Sequence, residues 1–319
     1  MMDAHYVIGV DIGGTGMSAA LVDAGGARVL QRETIPTEAA RGPEDGLRRL
    51  GDLIERVAAD HLPEISGIGI GCTGPVDCET GRIHNPYTLP TWDDVPLTDY
   101  LETRFKLPTA LVNDAHAAAL GEFWVGAGRG CQHMIYMTIS TGIGGGFILN
   151  GKLYRGAGLL SSEVGHMALD PAGPDCYCGA RGCLEMLAAG PAIAAQAVAQ
   201  VPDDGLILQL AGGDRTAITA RQVGEAAAQG DALAREVLAE AGRWVGIGLA
   251  SLLNLLTPEV VVLGGGVMNA HAYLMPTILE TVKARAALVP FERIRITRAA
   301  LGADAGVMGA AKAILSNEY

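Results

Sequence analysis

Three glycine-rich segments stand beside hydroxyl or carboxylate side chains: Asp11-Ile-Gly13-Gly14-Thr15, Thr141-Gly142-Ile-Gly144-Gly145-Gly146 and Gly264-Gly265-Gly266. Glycine admits positive φ and lets a ligand reach peptide N–H groups directly, which is what cradling a polyphosphate without a basic pocket requires. Any one of the three, alone, reads as a tight turn. Together, with Asp11 and adjacent threonine hydroxyls, they point to nucleotide phosphates. Asn113-Asp114 offers a different chemistry. It precedes an alanine-rich run, where a helix N-terminus would keep the Asp114 carboxylate ionised and able to accept a proton. Glu163 and Glu185 are candidates for holding hydroxyl groups by charge-assisted hydrogen bonds. Taken singly, these residues are a helix cap and solvated carboxylates; the chemistry requires that they meet.

Cys176-Tyr-Cys178-Gly-Ala-Arg-Gly-Cys183 places three thiols in one short loop, and His166 lies upstream. Three thiolates and an imidazole form a closed tetrahedral zinc set, and the intervening glycines permit the sharp turn it needs. The alternative is three packed or free thiols with His166 elsewhere. A four-ligand site has no open position for water, so the expected role is structural, pinning the loop that carries Glu163 and Glu185. Two better-known nucleotide signatures fail. Gly69-Ile-Gly71-Cys-Thr-Gly74 fits G-x-G-x-x-G but runs into Pro75-Val-Asp-Cys, a turn where a dinucleotide site needs a helix. No P-loop exists, because Gly151-Lys152 is followed by Leu153.

The elements that must position these groups alternate. Strands are expected at 6–10, 17–22, 27–33, 65–70, 110–112, 134–139, 147–149, 259–263 and 293–298, with a tight hairpin at Asn150-Gly151. Leu47, Leu50, Leu53, Ile54 and Val57 give a helix over 45–61; further helices are expected at 97–105, from Asp114, and at 303–315. The stretch 77–96 reads as turns, and Ser140–Gly146 as one glycine turn between two strands. Strand, glycine turn and strand therefore occur twice, at Asp11–Thr15 and Ser140–Gly146, which suggests two related halves facing one cleft.

Composition sets the outer limits. Of 319 residues 44 are glycine, 49% are hydrophobic and 18% charged, too apolar for a disordered chain. The net charge of −12 argues against nucleic acid and against an anionic membrane surface. The most apolar stretch, 245–256, is too short to span a bilayer and no targeting segment precedes Tyr6, so a cytoplasmic location is expected. Six cysteines are too few for a disulfide scaffold.

The ordered motifs bring a resemblance. Asp11-Ile-Gly-Gly-Thr15, Gly71-Cys-Thr-Gly-Pro75, Asn113-Asp114-Ala, Ser140-Thr-Gly-Ile-Gly-Gly-Gly146, Glu163-Val-Gly-His166, the Cys176–Glu185 block, Gly264-Gly-Gly-Val267 and Leu301-Gly-Ala-Asp-Ala-Gly306 together resemble the ROK family (repressor, open reading frame, kinase). The resemblance implies an α/β, two-domain actin-like (ribonuclease H-like) fold with an interdomain cleft and a structural zinc loop. It implies domains of 1–114, joined by a terminal helix at about 301–319, and 115–300. It implies ATP-dependent phosphorylation of a hexose 6-hydroxyl, glucose leading, with N-acetylmannosamine, N-acetylglucosamine or another amino-hexose as alternatives. Asp114 would be the general base and Asp11 would lie near Mg²⁺; Gly13, Gly14, Thr15, Thr141 and Gly142 would bind ATP phosphates, and Gly265 and Gly266 would border the nucleoside. Asn85, Asn113, Asp114, Glu163, His166 and Glu185 would hold the sugar, and His166 would also bind structural Zn²⁺ with Cys176, Cys178 and Cys183. A homodimer or tetramer is implied too.

Two departures stand out. Asn-Asp-Ala-Asn of the family reads Asn113-Asp-Ala-His116 here, and His116 is expected on the helix surface. The sugar-side loop is extended, His84-Asn-Pro-Tyr-Thr-Leu-Pro-Thr-Trp92, with Asn85 in place of the family's loop asparagine. A ROK-type sugar-sensing regulator is the non-enzymatic alternative. It would need a helix-turn-helix before the first glycine turn, and ten residues precede Asp11.

Overall fold

Short apolar strands joined by glycine turns build the first sheet. β1 (Tyr6–Ile12) and β2 (Gly16–Asp23) form a hairpin whose turn is Gly13–Thr15, and β3 (Arg28–Pro36) continues it antiparallel. After α1 (Pro43–Ala58), β4 (Ile65–Cys72) returns parallel to β1, giving the order β3-β2-β1-β4-β8 with β8 at Thr109–Asn113. The expected α1 stripe, Leu47, Leu50, Leu53, Ile54 and Val57, is buried against this sheet. The structure, a computed structural model, describes residues 6–85, 88–157 and 161–316.

The stretch expected to be only turns holds a small antiparallel sheet, β5 (Val76–Asp77), β6 (Arg82–His84) and β7 (Asp93–Pro96). Its strands are too short to show a period of two, so nothing in the pattern separates them from turns. α2 (Leu97–Phe105) coincides with its expected span, and α3 (Asp114–Trp124) follows β8. A second five-stranded sheet, β11-β10-β9-β12-β13, comprises β9 (Met134–Ile139), β10 (Ile143–Leu149), β11 (Lys152–Leu153), β12 (Val260–Gly264) and β13 (Arg295–Arg298). Both five-stranded sheets have an antiparallel hairpin at one edge and a parallel pair at the other. The internal repeat suggested by the two glycine turns is visible in that shared strand order.

Between β11 and β12 the chain is helical: α4 (Leu184–Ala188), α5 (Gly190–Gln200), α6 (Leu206–Leu210), α7 (Ala220–Ala228) and α8 (Ala232–Leu256). α9 (His271–Arg285) packs along α8, and α10 (Ala305–Ser316) closes the described chain. No helix among the described residues is long and apolar enough to cross a membrane.

The chain divides into two compact units: Met1–Tyr136 with Gly146–Ser161 and Ala299–Tyr319, and Met137–Gly145 with Ser162–Arg298. In the first, α10 lies on β1, β4 and α3 at backbone-to-backbone distance. A side-chain carbon on Gly9 would sit 1.9 Å from the Val307 carbonyl oxygen, one on Gly69 would sit 1.8 Å from that of Ala310, and one on Gly309 would sit 1.5 Å from that of Ala117. Gly69 thus serves a helix seat, which explains a glycine pattern that mimics a dinucleotide fingerprint. Val7, Ala20, Val22, Ala110, Val307, Met308, Ala311 and Ile314 complete this core. At the far end of α3 the buried Glu122 carboxylate accepts the amides of Ala127, Ala300 and Leu301 at 2.8–3.0 Å, anchoring the return of the chain into the first unit.

Candidate active site

The candidate residues fall in both units. In the first unit the Gly13–Thr15 turn is closed by the Gly13 amide donating to the Gly16 carbonyl at 2.9 Å. Behind it, buried Thr37 donates its hydroxyl to the Gly13 carbonyl at 2.6 Å and its amide to the Thr15 carbonyl. Gly14 and Thr15 remain exposed. Backing from Thr37 was not visible in the sequence, because it comes from the far end of β3.

Asp11 stands near the end of β1, opposite Ser18 of β2 and Gly71 of β4. Burial raises its pKa to about 6, with Asp114's charge adding to the rise and Arg32 opposing it. Arg32 is fixed by Asp304 and Ser18, both at 3.2 Å. α3 begins with a division of labour. Asn113, not Asp114, is the cap: its Oδ1 accepts the amides of Ala115 at 2.9 Å and His116 at 3.4 Å. Asp114 accepts the Ala115 amide at 2.7 Å and stands in the first turn, where the helix dipole favours its ionised form.

His116 corrects the expectation of a surface residue. It is 4% exposed and its Nε2 lies 3.1 Å from the Ser161 carbonyl oxygen. Burial lowers its pKa, and Arg155 opposes the effect of the Ser161 bond. The reason is that α3 has no polar face: every residue from Ala115 to Glu122 is buried. Asn85 is fully buried, and its amide donates to the Thr73 carbonyl (3.0 Å) and the Thr88 hydroxyl (2.6 Å) while its Oδ1 accepts the Thr88 amide (3.0 Å). It staples its own loop. A sugar contact is left the second lone pair of Oδ1. Pro86 and Tyr87 of that loop, and 317–319 of the expected terminal helix, lie outside the described residues.

In the second unit the expected seven-residue turn shrinks to Ser140–Gly142, where the Ser140 amide donates to the Gly142 carbonyl at 2.8 Å. Gly144, Gly145 and Gly146 belong to β10 instead. Gly145 is there for space, since a side-chain carbon on it would lie 2.9 Å from the Ser162 carbonyl oxygen. Gly265 has φ of 88° and passes so close to Ile139 that a side-chain carbon would meet its carbonyl oxygen at 2.2 Å. A cavity of about 880 Å³ opens beside Ser140, Thr141 and Gly266, walled by Pro191, Ile218 and Tyr273 among others. Its mixed lining suits a flat base with a ribose.

Glu185, in the first turn of α4, accepts the Ile143 amide at 2.8 Å and so buttresses the Ser140–Gly142 turn. Burial raises the pKa of Glu163, His166 lowers it, and Glu185 adds to the rise. The donor atoms of His166, Cys176, Cys178 and Cys183 all lie within 4.8 Å of one another. Cys178 and Cys183 Sγ are 3.6 Å apart, and Cys176 Sγ is 3.5 Å from His166 Nδ1. Zinc–ligand bonds of about 2.3 Å to sulfur and about 2.0 Å to nitrogen, at tetrahedral angles, require sulfur–sulfur and sulfur–nitrogen spacings of about 3.8 and about 3.5 Å. The four residues therefore fit zinc. Gly182, with φ of 63°, packs directly on the Asp170 carbonyl to make the turn.

One residue that spacing did not single out joins this set. Tyr177, between two cysteines, places its hydroxyl 3.2 Å from His166 Nε2. A phenol at the variable position of a cysteine loop carries no signal in sequence.

The ROK family model matches residues 7–317. The glucokinase of Thermotoga maritima is 36% identical over 310 residues, covering 97% of this chain and 96% of that protein. The N-acetylmannosamine kinase of Shigella flexneri is 33% identical over 305 residues, 96% of this chain and 97% of that protein. Among solved structures, a ROK family glucokinase from Streptomyces griseus in complex with glucose and AMPPNP has 34% identity and a TM-score of 0.83, over 96% of this chain and 98% of that one. The family match over nearly the whole chain and these identities place the present chain, with its α/β two-domain, actin-like architecture, in the ROK family.

Proposed function

We propose that the protein is an ATP-dependent hexose kinase that phosphorylates the 6-hydroxyl of glucose. The observation that carries this reading is the start of α3, where Asn113 caps the helix and Asp114 stands beside it in the first turn, its carboxylate accepting the Ala115 amide at 2.7 Å. A kinase needs such a group to take the proton of the acceptor hydroxyl as the phosphoryl group leaves the nucleotide.

The other residues then have parts. The exposed amides of Gly13–Thr15 and Thr141-Gly142 bind phosphate oxygens, and the cavity beside Gly266 takes the nucleoside. Asp11 would hold Mg²⁺: its carboxylate is disfavoured by burial and by Asp114, and a cation beside it removes that penalty. When bound, the ion neutralises phosphate charge. Glu163, His166 and Glu185 orient the sugar's hydroxyls, with Asn85 and Asn113 holding the loop and helix end that border it. Zinc would fix His166 and the three cysteines without taking part in chemistry. Phosphoryl transfer also requires water to be kept away from the phosphate. A cytoplasmic, homo-oligomeric enzyme, with a domain of 1–114 joined by the helix at about 301–319 and a domain of 115–300, completes the reading.

Similarity to both a glucokinase and an N-acetylmannosamine kinase makes the acceptor the point to measure. The protein with Mg-ATP and a panel of glucose, mannose, N-acetylmannosamine, N-acetylglucosamine and amino-hexoses should release ADP fastest with glucose. A faster N-acetylated sugar replaces the acceptor; no stimulation by any sugar sinks the kinase and favours a sensor. Asp114→Asn should lower kcat by about 10³-fold or more while glucose binding survives.

A further inference from the structure

We infer that Arg155 is a catalytic residue, its guanidinium binding the phosphoryl group as that group reaches the sugar oxygen deprotonated by Asp114; this rests on the kinase reading above. Arg155 follows β11, belongs to the first unit and is half-buried. Among the described residues of that unit the other half-buried arginines are each paired. Arg32 meets Asp304 at 3.2 Å, Arg49 meets Asp45 at 2.7 Å, Arg82 meets Asp94 at 2.5 Å and Arg104 meets Asp52 at 2.7 Å. Arg155 has no carboxylate partner among the described residues, and its Nη2 is buried without a hydrogen bond. A charge taken partly out of water is ordinarily paired, so an orphaned guanidinium nitrogen marks a place for an anion.

A short chain of hydrogen bonds ties this place to the start of α3. The carbonyl of Tyr154, next to Arg155, accepts the Ser161 hydroxyl at 2.6 Å. The Ser161 carbonyl in turn lies 3.1 Å from Nε2 of His116, two residues after Asp114. A carbonyl only accepts, so Nε2 carries the proton and His116 anchors the segment that bears Arg155. The Arg155 charge acts on His116 and on Cys78, whose sulfur takes the Asn113 amide. Neither is a counter-charge. Burial pushes the Cys78 thiol up to about 11 and lowers the His116 imidazole, so both are neutral at pH 7.

The anion that the reaction brings beside Asp114 is a phosphoryl group. As the nucleotide's terminal P–O bond breaks, the sugar's 6-oxygen bonds to phosphorus and gives its proton to Asp114. Negative charge then rests on the three peripheral oxygens. The glycine turns at Asp11–Thr15 and Thr141–Gly146 contain no Lys or Arg to meet it. A guanidinium supplies both the cation and a planar pair of N–H donors.

Arg155→Met keeps an unbranched stem and removes the charge. The probes are the fastest sugar of the panel, expected to be glucose, and its 6-phosphate. In Arg155→Met kcat should fall about 100-fold. Calorimetric titration should show the dissociation constant of the 6-phosphate raised about ten-fold, with that of the sugar unchanged. Arg155→Lys, a cation without the fork, should recover part of both losses. Because the wild-type charge is unpaired, Arg155→Met without ligand should melt no lower than the wild type. Unchanged kcat and 6-phosphate affinity overturn the inference. Equal losses for the sugar and its 6-phosphate also overturn it, since Arg155 would then shape the sugar site without meeting phosphate. A lower melting temperature in both variants makes the residue structural and overturns it too. Each of these results leaves the kinase reading intact, whereas a wild type that phosphorylates no sugar of the panel overturns both.

Discussion

The Asp11–Asp114 region and the Glu163–Glu185 region solve one problem, holding polar groups still, by opposite means. In the first, regular structure does it. Asp11 is fixed by strand register, Asp114 by a helix whose cap is the adjacent Asn113, and the glycine turn by Thr37 behind it. In the second, the groups sit on a short 3-10 turn, an irregular cysteine loop and the start of a five-residue helix. Backbone ladders cannot hold such a segment; the Glu185 bond to Ile143 and a Cys/His cluster able to hold zinc take their place. Sites on strands and helices come with the fold, whereas sites on loops need a separate device.

If that contrast is right, damage to each region should look different. The largest effect is expected from Cys183→Ser or from stripping metal with a strong chelator. Glucose affinity should fall by at least 100-fold, while the thermal unfolding of the first unit stays put; retained affinity with no zinc by elemental analysis would erase the contrast. Next comes Gly309→Ala, whose new methyl would lie 1.5 Å from the Ala117 carbonyl oxygen. Overpacking of this kind costs about 3 kcal/mol, read as a lowered melting temperature of the first unit with zinc content unchanged.

The smallest effect concerns Asp11. Its folded pKa of about 6 lies above the ordinary 3.8, so between these values the folded protein keeps a proton that the unfolded chain releases. Stability therefore falls as pH rises through that window, and kcat/KM should rise toward a plateau above pH about 6. Asp11→Asn should raise the melting temperature at pH 8 more than at pH 4, at the expense of turnover. An equal shift at both pH values would show that the carboxylate carries no such strain.

Local signals were legible where chain neighbours suffice. α2 and β9 occupy their expected spans, Asn113-Asp114 opens α3, and the four zinc-type donors converge as their spacing indicates. What escaped depends on contacts distant in the chain. The burial of His116 follows from a helix covered on every side, and Gly145 and Gly146 of β10 leave room for close packing. Asn85 was expected at the sugar only from the resemblance of its loop; its bonds to Thr73 and Thr88 could only be seen in three dimensions. Tyr177 escaped for the converse reason, since an exposed tyrosine between two cysteines has no distinguishing pattern.

The seat of α10 on Gly9, Gly69 and Ala117 has a consequence for synthesis. The strands that receive this helix leave the ribosome early, and the whole of the second unit is translated before the helix appears. Until then the glycine-lined face of the first sheet is open, with Val7, Val22 and Ala110 uncovered. The half that carries Asp11 and Asp114 thus cannot finish folding in the usual N-to-C order. It must wait, exposed, for its last piece, which is the interval in which a chaperone would have most to do.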